Sequence, residues 1–548
     1  MKDELSAITA LIVEPHSGMR GSMHNMLNLC GISKIDHAVS AGTALRTLKT
    51  RPFDVILCEY DLGEGQDGQQ LLEDLRQNKI IPLWTVFFMV TAERSYEKVV
   101  SAAELAPTDY LLKPFTADAL QDRIKRAIER RILFMPIYRL MDEGSLAEAI
   151  EACVQSELAN PRFAFDFMRL RAELHVVLGQ PAEAEVLYRQ LFEAKAVAWA
   201  RLGLAKTLFM QNRFEEAQRL LQSLVSENRS FLDAYDWLAK THVAKGAFPQ
   251  AQGVLESAVA ISPHVVRRLR ELGEVALETG DVALAESAFQ KVVSKARYSE
   301  FRDPEDHVKL VKTLVHRGDV QQAAAVVRDL EKTLGGNRKS EACRAYSNAL
   351  ILEQNGDTEN ALEQLSAAVA ASRHGATLSN GIKLDMAKTC LENKLEAQAS
   401  EMMLEVMNNT ADGTGMTRAM KVFERAGRKD LAESMAKESR RQVMNMVTSG
   451  ADKAKQGDYR GAVDLMTEAA RKFPENPQVV FNAALSLLKC MENQGWDNHM
   501  AEQARWYIES CRQLDPGNAR LVPLSDLYQT VLRKYGIAPS HVAARLRA

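Results

Sequence analysis

The sequence predicts an α/β domain built on a parallel sheet, followed by a much longer all-α superhelical array. Three observations carry this. Up to about residue 130, short runs rich in β-branched and aromatic residues alternate with helical patterns. After residue 135 the strand signals vanish and Ala and Leu dominate. That second stretch also repeats itself, and 548 residues are far too many for one hydrophobic core.

The strand candidates are TALIVE (9–14), IDHAV (35–39), DVILCE (54–59), WTVFFMV (84–90) and DYLL (109–112), with five helical segments between and after them. Strands alternating with helices imply a parallel sheet covered on both faces. Ligands of such sheets sit beyond the carboxyl ends of the strands, so the residues to read are Glu14, Glu59, Thr91 and Lys113. The seam to the second part, AIERRILFMPIY (127–138), contains no flexible Gly/Ser linker, and Pro136 suits the first turn of a new helix. A short apolar seam predicts mechanical coupling between the two parts.

In the array, Gly144, Gly179, Gly246, Gly280, Gly318, Gly356, Gly427 and Gly457 are each followed five residues later by an alanine. Asn212 and Ala217 fill the gap in that series. Ala149, Ala184, Ala217, Ala251, Ala285, Ala323 and Ala361 are separated by 35, 33, 34, 34, 38 and 38 residues. A helix ending in a left-handed cap, then a second helix whose alanine permits close backbone approach, makes one helical hairpin per period. A lone hairpin cannot bury its apolar face, so neighbours must stack into a superhelix with a concave groove. Around 375–430 the signal weakens, because KLEAQASEMM lacks the glycine and leaves the repeat count open.

Composition narrows the function classes. Charged residues make up 26% and the net charge is −3, so the global field calls for neither nucleic acid nor an anionic membrane. The seven cysteines are dispersed, odd in number and without C-x-x-C, which fits a reducing cytoplasm and argues against disulfides or zinc. The N-terminal apolar run is too short for a signal or a membrane span, and no later run is long enough. No H-E-x-x-H, His/Cys cluster or nucleophilic triad is visible, so the expectation is a non-enzyme. GEGQDG (63–68) satisfies G-x-G-x-x-G, but it follows the third strand and carries Glu64 and Asp67, so it reads as a turn into the next helix.

Four segments, ALIVEPHSGMR (10–20), DVILCEYDLGEGQDG (54–68), FFMVTAE (87–93) and DYLLKPF (109–115), resemble the response-regulator receiver domain, here residues 9–131. The resemblance implies a flavodoxin-like five-stranded parallel sheet of order 2-1-3-4-5. Thr91 and Lys113 match the residues that engage phosphoryl oxygens, and Tyr110 matches the switch aromatic. Glu14 falls on the first of two metal-binding acids, Pro15 replaces the second, and Glu59 stands where the phosphoacceptor aspartate would be. The extra methylene of Glu59 pushes its carboxylate roughly 1–1.5 Å further into the pocket, a distance that matters for in-line chemistry. No cofactor is required on this reading, and any Mg²⁺ held by Glu14 and Glu59 is bound weakly. The negative charge of Glu59 then replaces a reversible phosphoryl charge by a permanent, smaller one; the bland alternative is that Glu59 merely pairs with Lys113 and the pocket is a vestige. Asp61 is the alternative acceptor.

Residues 135–535 resemble the tetratricopeptide repeat (TPR), with the clearest units at about 135–293 and 443–476 and a C-terminal tail at 536–548. The best matches are AKGAFPQAQGVLESAVAISP (244–263) and AKQGDYRGAVDLMTEAARKFPENP (454–477). In that register Arg267 and Arg270 fall on groove-facing positions, where they could pair bidentately with an acidic peptide; the bland alternative is a solvated cluster balanced by Glu271 and Glu274. The loop ARYSEFRDPEDH (296–307) is the natural place for a contact with a partner. Together the two resemblances imply a two-component signalling protein whose atypical receiver feeds a TPR scaffold that binds a protein, such as a histidine kinase or another signalling component. No basic recognition helix follows the receiver, which argues against DNA binding. Two alternatives stay open: a phosphorylatable regulator using Asp61 or Glu59 that sequesters a kinase, and a structural assembly scaffold whose receiver makes a homodimer.

Overall fold

The computed structural model describes residues 5–537 apart from 64–65, 93–107, 143, 195–196, 264, 298, 300–301, 374–377, 410–412, 426 and 516–517. Strands β1 (Thr9–Val13), β2 (Lys34–Ala38), β3 (Val55–Glu59), β4 (Val86–Thr91) and β5 (Asp109–Leu112) form one parallel sheet in the order β2-β1-β3-β4-β5. Every residue of β3 and β4 is buried, as central strands covered on both faces require. Alternate residues serve opposite faces. Leu11, Val13, Ile56, Cys58, Phe87 and Met89 meet helices α2 (Ala41–Thr50) and α3 (Gly68–Gln77), which follow α1 (Ser17–Leu29) in the chain. Ile12, Val55, Leu57, Phe88 and Val90 meet α1 and the first half of α4 (Ala117–Asp142). The helical segment expected between β4 and β5 lies outside the described residues.

Helix α4 corrects one expectation. It passes through the seam as a single 26-residue helix with Pro136 inside it, where a new helix was expected to start. An interior proline forfeits one backbone hydrogen bond and crowds the preceding turn. Here Phe134 and Ile137 flank it, both buried in the core of the first hairpin, with the Phe134 ring stacked on Phe167 at 4.2 Å. That packing anchors the helix on both sides of the weak point, so the receiver and the first repeat share one rod.

The array continues with α5 (Leu146–Ala159), α6 (Ala164–Val177), α7 (Pro181–Ala194), α8 (Ala198–Met210), α9 (Phe214–Glu227), α10 (Leu232–Ala244), α11 (Phe248–Ile261), α12 (Val266–Thr279) and α13 (Val282–Ala296). After a connection come α14 (Pro304–Arg317), α15 (Val320–Leu334), α16 (Arg338–Gln354), α17 (Thr358–Arg373), α18 (Asn380–Glu392) and α19 (Glu396–Asn408). The last six are α20 (Gly413–Arg425), α21 (Lys429–Lys455), α22 (Tyr459–Lys472), α23 (Pro477–Gln494), α24 (Asn498–Leu514) and α25 (Leu521–Lys534).

The glycine caps are left-handed, from φ +69° at Gly179 to +82° at Gly280, and Asn212 adopts φ +60° in its place in the series. In the weak stretch Lys394 takes φ +60° and Ala399 is fully buried five residues later, so α18 and α19 form an ordinary hairpin without the glycine. Helix α21 serves two units at once, packing against both α20 and α22.

Two further glycines let helices touch. A Cβ on Gly203 would lie 2.2 Å from the Tyr188 ring, and one on Gly273 would lie 2.7 Å from the Phe289 ring. Gly203→Ala is therefore expected to cost the array about 1–3 kcal/mol by overpacking. Urea denaturation followed by circular dichroism checks this, and an unchanged midpoint would mean that Tyr188 moves aside freely. The array curls back on itself: Gln529 in α25 donates to the Ser145 hydroxyl at the start of α5 at 3.1 Å. Among the described residues no helix is long and apolar enough to cross a membrane.

Candidate functional site

Parallel pairing brings the carboxyl ends of β1, β3, β4 and β5 to one rim. Backbone bonds from Glu14 to Ala38 (3.0 Å), from Tyr60 to Val90 (2.8 Å) and from Lys113 to Thr91 (2.7 Å) extend the ladder past the strand ends. Glu14 is thereby held with 0% exposure and Glu59 with 6%. The Lys113 ammonium donates to Glu14 Oε2 at 2.9 Å and also to Glu59 Oε2. The remaining oxygens are occupied too: Glu14 Oε1 accepts from the His16 N–H at 3.0 Å, and Glu59 Oε1 accepts from the Asp61 N–H at 3.3 Å. Thr91 is buried at the same rim, and Tyr110 is half-buried on β5.

One ammonium between two carboxylates leaves the cluster with a net negative charge. Burial pushes the Glu59 pKa up, more strongly than the bond and charge of Lys113 pull it down, and Glu14 adds to the rise. Burial opposes the charge on Lys113, but its bonds to Glu59 and Glu14 prevail and hold its pKa above the ordinary value. Asp61, by contrast, is exposed, and its carboxylate accepts from the Gly63 N–H at 3.0 Å.

Sequence reasoning missed Arg20. From the first turns of α1 its guanidinium donates to the carbonyls of Glu14 (2.7 Å) and Pro15 (3.1 Å), bracing the loop in which Pro15 has no side-chain oxygen to offer. The signal was available in PHSGMR, since a cation at the end of the first helical turn can reach back to that loop. Among the described residues no group of three or more His, Cys, Asp or Glu side chains is arranged to hold a metal ion. The turn around GEGQDG carries Gly63 at φ +79°, and Asp67 caps α3 by accepting from the Gln70 N–H at 2.8 Å, while residues 64–65 lie outside the described residues.

The arginine knot on α12 differs from its expectation. Arg270 grips Asp306 of α14 through two bonds of 2.7 Å, so its fork is already filled. Arg267 bonds Asp236 of α10 at 2.8 Å while staying 45% exposed. The direct bonds go to these two aspartates of neighbouring repeats, while Glu271 and Glu274 act on the arginines through charge alone. Arg268, which the register did not single out, is fully buried and pairs twice with Asp236, at 2.7 and 2.9 Å. These cations hold adjacent repeats together, and Arg267 stays the most exposed of the three. Of the 296–307 connection, Ser299 meets the receiver rather than solvent, donating to Asp74 Oδ2 at 2.7 Å, while residues 298, 300 and 301 lie outside the described residues.

Comparisons with known proteins divide the chain in the same way. A family model described as response regulator receiver domain matches residues 10–125. Tetratricopeptide repeat models match residues 178–240, 237–300 and 449–489. Chemotaxis protein CheY-3 of Vibrio cholerae is 32% identical over 120 residues, covering 22% of this chain and 91% of that protein. Chemotaxis protein CheY of Pseudomonas aeruginosa is also 32% identical over 120 residues, covering 22% of this chain and 95% of its own length. Among solved structures, YrrB, described as a TPR protein with an unusual peptide-binding site, aligns with 34% of this chain and 93% of its own at 20% identity and TM-score 0.29.

Proposed function

Because this chain belongs to the response-regulator receiver family and carries tetratricopeptide repeats behind its receiver, we propose that it is a two-component signalling protein whose receiver works without phosphoryl transfer and whose array binds a protein partner. The receiver implies two-component signalling, and the repeats imply protein interaction. The finer reading rests on one observation: Lys113 is already bonded to both Glu14 and Glu59. A lysine so engaged has to give up two buried carboxylates before it can meet a phosphoryl oxygen. The carboxylate of Glu59 supplies about one negative charge, where a phosphoryl group brings nearly two, so the pocket imitates the charged state only in part.

Magnesium belongs to the same reading. Its octahedral shell takes one or two carboxylates plus water, and both carboxylates here are spoken for by Lys113 and backbone N–H groups, while Pro15 contributes no ligand. Binding should be feeble, and the pocket needs no cofactor. The partner is a protein, with a histidine kinase or another signalling component as the natural class. Arg267 offers its exposed side in the groove.

Incubation of the full chain with acetyl phosphate and Mg²⁺, followed by intact-mass measurement, tests this. The expected result is no acid-stable or base-labile gain of about 80 Da. A labile adduct localised to Glu59 or Asp61 would replace the reading by a phosphorylatable regulator.

A further inference from the structure

The receiver is tied to the array a second time, far from the seam. Gln66, Gln69 and Glu73, polar side chains on or beside α3, are 7%, 1% and 8% exposed. An isolated α/β domain would give such groups to water, because burying them costs free energy unless they are hydrogen-bonded. The array helps to cover this face. The Ser299 hydroxyl and the Gln66 amide both donate to Asp74 Oδ2, at 2.7 and 2.6 Å. Lys295, in the last turn of α13, is near enough to Asp67 for each to feel the other's charge. Beyond the other end of α3, Lys79 lies 3.8 Å from Glu509 of α24, so the curled array reaches the receiver at its far end as well.

These ties are hydrogen bonds and charge pairs, and the amide nitrogen of Gln69 is buried with no hydrogen-bond partner among the described residues. An unmet buried donor costs free energy, a penalty that is relieved where water can reach it. Polar contacts of this kind between domains of one chain favour relative motion over permanent fusion.

The same helix bears directly on the pocket. A Cβ on Gly68 would lie 2.3 Å from the Glu59 carbonyl oxygen, so the first turn of α3 rests against the backbone of the residue that carries the built-in charge. The Gly68 N–H donates to the Tyr60 carbonyl at 2.7 Å, and the Tyr60 hydroxyl donates to Gln69 Oε1 at 3.3 Å. There is no slack between the end of β3 and the covered face of α3.

We propose that the α3 face of the receiver and the array residues Lys295 and Ser299 form a releasable polar clasp, through which the Glu59 pocket acts on the array. The occupant of this receiver surface is the chain's own array, and the clasp stands whether or not the pocket ever takes phosphate. Any change that shifts the end of β3 loads the clasp, and releasing it leaves the shared helix α4 as the principal connection. The array can then change its curl and its groove without unfolding either part.

Hydrogen exchange on the full-length protein tests both halves. Lys295→Glu sets a carboxylate against Asp67, and Ser299→Ala removes the donor to Asp74 while leaving charge unaltered. Each is expected to raise amide exchange across residues 68–77 by about tenfold, with β1 and β3 as protected as before and the circular dichroism unchanged. Two folded variants whose 68–77 segment exchanges at the wild-type rate would overturn the clasp. Glu59→Gln, which keeps the shape of the side chain but removes its charge, is expected to speed the same segment. Exchange there identical to wild type would overturn the link to the pocket.

Discussion

Asp236→Ala is expected to destabilise the array by about 3–5 kcal/mol. The carboxylate is 4% exposed and accepts two bonds from Arg268, whose side chain is 0% exposed, so its removal takes two charge-assisted bonds from a guanidinium buried between α10 and α12. Arginine cannot escape by losing its proton, so the cost has to be met by distortion or by water entering the interface. The bond from Arg267 adds little, since that side chain stays nearly half exposed. Replacing the pair together, Asp236→Leu with Arg268→Met, should recover most of the loss, because apolar side chains of similar volume need no partner. The urea midpoint of the helical signal reads both variants. A single substitution no worse than the double would mean that Arg268 finds another acceptor.

Lys113→Ala is the second large effect and falls on the receiver. It takes the ammonium from between Glu14 and Glu59, whose side chains are 0% and 8% exposed, and leaves two carboxylates facing each other. The expected loss is about 3–5 kcal/mol, reduced to the extent that one carboxylate takes up a proton. Adding Glu59→Ala should return part of it. The pH dependence has a definite sign. The folded pKa of Glu59 lies above its ordinary 4.5, so its contribution is complete below 4.5 and is lost as pH rises through the folded value. Wild type should therefore lose stability relative to Glu59→Gln as pH climbs from 4.5, and removing Lys113 should extend that window upward. Thermal denaturation of the full chain across this range checks it, and parallel curves for wild type and Glu59→Gln would show that Glu59 titrates normally.

Much of this was legible before any coordinates. The five strands fell within a residue or two of their expected places, because a central parallel strand has to be apolar along its whole length and stop at a turn. The rim of Glu14, Glu59, Thr91 and Lys113 followed from topology, since parallel strands deliver their carboxyl ends to the same side. What the reading could not supply was the partner of each charge. RRLR on α12 announces three guanidiniums, but which of them turns inward depends on how α12 rotates against α10. The register placed Arg267 and Arg270 toward the groove and was silent on Arg268. Pro136 likewise read as a helix start, since the packing of Phe134 and Ile137 that carries α4 through it is invisible locally.

By itself the amino-acid order determined the two architectures, the spacing of the hairpins and the chemistry gathered at the strand ends, all of them consequences of periodicity within a few turns or a single sheet. Tertiary structure alone decided that Asp74 would meet Ser299, 225 residues away, and that α25 would return to α5. Superhelical curl is the sum of small rotations between neighbouring repeats, each set by side-chain packing. No local pattern encodes such a sum, so contacts across the ring emerge only when the whole array is assembled.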